Sequence, residues 1–474
     1  MGSHSVESDG LAETSANFHF VTVSHPNDGK DRRIRRKARS HALKQAVERK
    51  RRAQQQSGDN FRLSSATDYS RGVVTKRDAR NLVVPPRSLS ASKLDPFQSL
   101  AVDSSRLQAL LGDWNNTAKV RQATEPVFSV SDKLAYQNFC AVFQGGLDDP
   151  ALANAIMLTL AFAATGGSID GECLWYQSQA IGYIRERMDS LDRATSTSTI
   201  GAILLLAGVD ARLGMQNQVQ LHMRAVQQLL DICRVGGLYL TDGIKRAIFW
   251  QDLNASVMTG SSRVVNHTTF AELQWKRDPF LPTFFELPPG FRKLSHLLTQ
   301  DFIDVLEDIN ALQCIREFAR PSSGYLISMA HINNHQASIQ SRLKGLYKAS
   351  LVVECCYLAA YLCSSMLCCK VWCALVIPSH ISSKLLFTLE LAEKDPVWDK
   401  HPELLLWLLY IGGAFASDAV TRSGYVRALR ERHSSRYTSR STSWQKVLQI
   451  MKQFIWSDDA FIPHVKTFWK EVSV

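Results

Sequence analysis

The chain has 474 residues, 45% hydrophobic and 21% charged, which is enough apolar content for a large core and excludes a wholly disordered protein. Its formal net charge is +11, yet residues 30–52 hold twelve Lys and Arg against Asp31 and Glu48, a local +10 that leaves the other 451 residues nearly neutral. A charge focused in this way serves polyanion binding or reading by a nuclear import receptor, with a solvated basic tail as the plainer alternative.

Residues 1–17 are polar and expected to be disordered. They carry no apolar run of a secretory leader, and Val6 stands where myristoylation of Gly2 wants Ser or Thr. A reducing compartment is therefore expected, with the ten cysteines as free thiols. Residues 18–23 (FHFVTV) alternate and predict a short strand, and His25-Pro26-Asn27-Asp28-Gly29 predicts a turn. From Lys30 to about Gln56 no breaker interrupts the chain, and Ala38, Ala42 and Ala46 recur at helical spacing, so a basic helix is expected. Leu43 and Val47 do not continue as heptads, which excludes a leucine zipper here. The residues of this arm placed to contact phosphates or an import receptor are Arg32, Arg33, Arg35, Arg36, Lys37, Arg39, Lys44, Arg49, Lys50, Arg51 and Arg52.

Residues 57–93, rich in Ser, Arg and Asn, read as a disordered linker. At Asp95 the composition changes, and one helical body is expected over 94–474. Helical patterns run over 133–144, 150–165, 173–191, 199–213, 217–233 and 243–258. A Pro-rich break at 277–291 follows, and further patterns cover 299–319, 331–345, 348–377, 381–394, 403–432, 441–456 and 459–472. Gly166-Gly167 and Gly236-Gly237 stand where helices should stop.

The apolar run 351–377 raises the question of a membrane span. Glu354 and Lys370 leave only 15 uncharged residues between them, whereas a spanning helix wants about 20. A central helix, the most buried of the body, is the favoured reading. Six cysteines fall between Cys355 and Cys373 without paired CxxC knuckles, so they read as small apolar residues rather than zinc ligands. His331 and His335 share a helix face but lack a third ligand, so a surface or core pair is expected. No GxGxxG after a strand, GxxxxGK[ST], GxSxG or HExxH occurs, and nothing argues for an enzyme or a cofactor.

Three stretches carry a resemblance. The first is residues 18–45, FHFVTVSHPNDGKDRRIRRKARSHALKQ: a short hydrophobic strand, a His-Pro turn, and an Arg-rich segment ending Arg39-Ser40-His41. The second runs from His222 through Arg234-Val235-Gly236-Gly237-Leu238 to Ile248-Phe249-Trp250-Gln251-Asp252. The third joins Leu404–Gly413 to Ser443-Trp444-Gln445-Lys446-Val447 and Phe454-Ile455-Trp456-Ser457-Asp458. In this order they resemble filamentous-fungal regulators with a fungal-specific transcription factor domain, over about Asp95 to the C-terminus. The binuclear zinc cluster that many such proteins carry is missing, because no Cys precedes Cys140.

The helical periodicities predict an all-α fold of stacked helix pairs behind a disordered basic arm, and the resemblance implies a nuclear transcriptional regulator. Its expected partners are DNA, read with weak sequence discrimination by the arm alone, a nuclear import receptor, and other transcription proteins. The helical body is left with a homodimer face or a small-ligand pocket, and no membrane role is expected. The rival reading is a nuclear scaffold or corepressor that does not touch DNA.

The composition change near Asp95 has a direct consequence. Limited proteolysis should leave a stable C-terminal fragment beginning near that residue; a resistant fragment beginning before Lys30 would contradict the boundary.

Overall fold

The computed structural model describes residues 101–116, 146–277, 282–318, 329–368, 376–436 and 443–473. Among the described residues the secondary structure is helical, with no strand. The expected strand at 18–23, the basic helix, the linker 57–93 and the pattern at 133–144 lie outside them.

The first group of helices is α1 (Ser104–Asn116), α2 (Pro150–Ala164), α3 (Gly171–Arg187) and α4 (Thr197–Arg212). Each start after α1 is specified locally. Asp149 accepts from the Leu152 N–H with Pro150 in the first turn, Asp170 from Cys173, and Ser196 from Thr199. Arg187 at the end of α3 reaches Asp149 at 2.8 Å and Thr199 Oγ1 at 3.2 Å, so one guanidinium clasps the starts of α2 and α4.

Next come α5 (Gln216–Val235) and α6 (Asp242–Thr259). α5 stops at the expected glycines. Gly237 has φ 63°, a left-handed value that costs a residue without Cβ little, and the Leu238 N–H returns to the Cys233 carbonyl at 2.9 Å. α2 likewise ends just before Gly166 and Gly167. α4 lies between two cores: Ala202, Leu206 and Val209 face one with α1–α3, while Ile200, Ile203 and Ala207 face another with α5 and α6. Burial on both sides explains why its sequence is apolar all round.

The third and largest core gathers α7 (Gln300–Phe318), α8 (Met329–Gly345), α9 (Leu351–Cys368), α10 (Val376–Leu391), α11 (Pro402–Phe415), α12 (Ala419–Arg436), α13 (Trp444–Met451) and α14 (Asp458–Ser473). The break at 277–291 contains a 3₁₀ turn at Pro282–Phe284 and one helical turn at Pro289–Arg292. Three readings of the sequence need correction. The run 351–377 belongs to two helices, α9 and α10, which pack against one another. The pattern 403–432 is also two helices, separated where Ala416 turns extended and Asp418 accepts from the Thr421 N–H at 2.7 Å. α1 has no counterpart among the expected helices.

The most completely buried helix is α11 rather than α9: every residue from Leu404 to Phe415 is buried, whereas Leu351 and Glu354 of α9 reach solvent. The difference is one of charge and position, since α9 keeps Glu354 for Lys348 at 2.9 Å while α11 has no charge after Glu403. The cysteines of α9 behave as expected. Cys355, Cys356 and Cys363 are free and buried, and burial pushes the Cys356 thiol up to about 12. No helix among the described residues is long and apolar enough to cross a membrane.

α11 packs closely because it has glycines where neighbours approach. A Cβ on Gly412 would overlap the Tyr425 ring and hydroxyl. Tyr425 is itself fixed, its hydroxyl donating to the Ser382 carbonyl at 2.8 Å while Ser382 Oγ donates to the Gly412 carbonyl at 2.8 Å. Gly412→Ala should therefore destabilise the body by about 2–4 kcal/mol in urea unfolding, through overpacking and the loss of a buried hydrogen bond. An unchanged midpoint would contradict this packing.

Candidate functional site

α6 ends at Gly260, which takes φ 74°, and the chain leaves as a strap, residues 260–277, that crosses to α7 and α8. Apart from a 3₁₀ turn at Ala271–Leu273, the strap is held by side chains rather than by regular structure. Asp252 of α6, only 1% exposed, accepts the backbone N–H groups of Val264 at 3.0 Å and Val265 at 3.3 Å, and Arg263 Nε at 3.0 Å. Arg263 Nη1 then donates to Ser341 Oγ of α8 at 2.8 Å, and its guanidinium lies 5.1 Å from the Phe249 ring centre. Ser341 also accepts from the His267 N–H at 3.3 Å.

Farther along, Arg246 Nη1 donates to Asn333 and Asn334 at 2.8 and 2.6 Å, and its Nη2 donates to the Glu272 carbonyl at 3.1 Å. Trp275 is clamped by both histidines of the HINNH pair. Its indole N–H donates to His331 Nε2 at 3.1 Å, and its ring stacks on His335 at 3.8 Å with an interplanar angle of 6°. The i, i+4 spacing thus serves one indole from two sides. No group of three or more His, Cys, Asp or Glu that could hold a metal occurs among the described residues. Arg277 closes the strap onto α7, pairing with Asp308 at 2.9 Å and Glu307 at 3.0 Å. Asp308, 1% exposed, also pairs with Arg342 of α8.

Two adjoining clefts flank the strap. The larger, about 750 Å³, runs from Ser261, Arg263 and His267 to Arg342 and Lys344, with Asp301 and Asp304 of α7 also lining it. The smaller, about 460 Å³, includes Trp275, Arg277 and Asp308 and shares His267, Asp304 and Arg342 with the first. These volumes suit small molecules. α8 turns a polar face inward, on which His335, Gln336, Ser338, Gln340 and Ser341 are all buried; Ser341 lines the larger cleft and Ser338 the smaller.

Burial sets the electrostatics. It pushes the Asp308 carboxyl up, opposed by Arg342 and Arg277, and pushes Asp252 up, opposed by the Val264 N–H and Arg263. It holds Lys344 below the usual lysine range, reinforced by Lys348, Lys384 and Arg263. His335 is held well below its ordinary value by complete burial, then by Arg342 and His331; the Asp308 backbone opposes this, but neither ring nitrogen has a hydrogen-bond partner of good geometry.

The eleven basic residues marked in the arm, Arg32 through Arg52, all lie outside the described residues. Nothing in the chain's motifs marks the clefts, although Asp252 stands in a Trp-x-Asp pattern and His331 and His335 share a helix face. No family model, no curated protein and no solved structure matches the chain.

The depressed histidines make the body acid-sensitive. His335 stays neutral when folded but takes a proton near its ordinary value when unfolded, so its contribution is full above about pH 6.5 and lost as pH falls through that value, by up to about 1.4 kcal/mol per pH unit. His267, His331 and His380 are shifted downward by burial in the same direction. Unfolding midpoints should fall between pH 7 and 5, and less steeply in His335→Gln. A flat profile would contradict the neutral His335.

Proposed function

We propose that the chain is a nuclear transcriptional regulator, in which a basic arm serves import and phosphate contact and an all-α body serves regulation and protein contacts. The observation that carries this reading is the segregation of charge: +10 of the net +11 lies in residues 30–52, ahead of a body that is nearly neutral. A cationic segment of that density neutralises phosphates and releases counterions, whatever the base sequence. Arg can read guanine and Gln45 adenine, but few other side chains in the arm suit base edges, so discrimination must come from a partner or from a second copy of the chain.

The resemblance to fungal-specific transcription factor domains supports the same reading, and the helical architecture agrees with it. The described helices give no membrane span that would favour another class.

Fluorescence anisotropy of the full chain against random duplex at several salt concentrations tests the arm. With about 5–8 phosphate contacts, log K should fall with log salt at a slope of about −4.5 to −7. Replacing Arg32, Arg33, Arg35 and Arg36 by Ala should flatten that slope and release a fluorescent fusion into the cytoplasm. Absence of binding at about 50 mM salt, where such contacts are strong, would eliminate DNA contact and leave the scaffold reading.

A further inference from the structure

We propose that the larger cleft beside the strap binds a small polyhydroxylated oxyanion, such as a sugar acid or sugar phosphate, with Lys344 as its principal charge partner. The proposal concerns the body alone and does not depend on whether the arm touches DNA.

The cleft holds one cation that the protein leaves uncompensated. Arg263 is paired with Asp252, Arg342 with Asp308, and Lys348 and Lys384 share Glu354 at 2.9 and 3.7 Å. Lys344, half-buried in the last turn of α8, has no carboxylate or hydrogen-bond partner among the described residues. Its charged neighbours are all cations: Lys348, Lys384 and Arg263. The C-terminal end of α8 favours a positive charge only modestly, which does not offset burial beside three like charges. An oxyanion seated against Lys344 restores neutrality where the protein does not.

The rest of the lining defines the ligand's body. Asp301 and Asp304 bring two carboxylates from α7, which would repel a compact polyanion but accept hydrogen bonds from hydroxyl groups. Ser262 and Asn266 add polar groups from the strap, while Val264, Val265 and Leu346 give the lining an apolar share against which a ligand's carbon skeleton can rest. One unpaired lysine together with two carboxylates and several neutral polar groups in the same lining describes a singly headed anionic ligand with several hydroxyls. The volume of about 750 Å³ accommodates one such molecule with water.

Thermal unfolding of the purified full chain at constant ionic strength tests this, using gluconate, glucose 6-phosphate, inorganic phosphate, glucose and chloride as probes. Gluconate or glucose 6-phosphate should raise the midpoint saturably by about 2 °C or more, and glucose and chloride should not. A response to gluconate alone assigns a carboxylate headgroup, and one to glucose 6-phosphate alone a phosphate headgroup. Inorganic phosphate matching glucose 6-phosphate would remove the hydroxylated body from the proposal. Lys344→Met should hold or raise the unliganded midpoint, because it removes a half-buried cation from beside three others, and should lose the response. Should that variant not fold, acetylation of the wild-type chain decides: a probe at about ten times its Kd should slow modification of Lys344 about tenfold while leaving exposed Lys394 unchanged. No saturable response, or an equal response in Lys344→Met, overturns the proposal, as does acetylation of Lys344 that no probe slows.

Discussion

Asp252 and Asp308 are each about 1% exposed, and a carboxylate in that position must be paired or protonated. Their partners come from elsewhere in the chain: Arg263 and two backbone N–H groups for Asp252, Arg277 and Arg342 for Asp308. Through these pairs the strap 260–277 is fastened to α6 at one end and to α7 and α8 at the other. Removing one partner would leave an uncompensated buried charge, which costs about 3–5 kcal/mol. The strap also carries apolar anchors, since Val265, Phe270 and Leu273 join the middle core together with Ala337 of α8. The middle and C-terminal cores are thus joined by a segment whose position depends on two carboxylates, and residues of that segment line both clefts.

Helices were legible because their signals are local. Ser196, Asp149 and Asp170 cap the starts, glycines follow the ends of α2 and α5, and apolar spacing fills between. Where two helices follow within a few residues, as α11 and α12 do, periodicity alone ran them together, because Ala416 and Asp418 are unremarkable in sequence. The strap and clefts were not legible. Arg263 meets Ser341 across 78 residues and Arg342 meets Asp308 across 34, and nothing local in the sequence specifies either pairing. The polar residues of α8 point inward for partners remote in sequence: Gln340 meets Tyr361 and Ser365 of α9, and Ser341 meets Arg263 of the strap. The HINNH pair showed its spacing in the sequence, but its object, Trp275, lies 56 residues from His331.

The arm and the body divide two physical tasks. The arm concentrates charge that acts over a Debye length and is screened by salt. Around the larger cleft the body pairs Arg263 with Asp252 and Arg342 with Asp308 and leaves Lys344 without a carboxylate. The arm's cations and the body's cleft are then separable by mutation, because no residue serves both.

The most direct measurement is chromatin immunoprecipitation with sequencing on the tagged full chain and on a deletion of 30–52 whose import is restored by an unrelated nuclear signal. The account predicts recurrent DNA sites for the full chain and their loss in the deletion despite nuclear accumulation. Unchanged occupancy in the deletion would contradict it, placing chromatin association in the helical body and its protein partners.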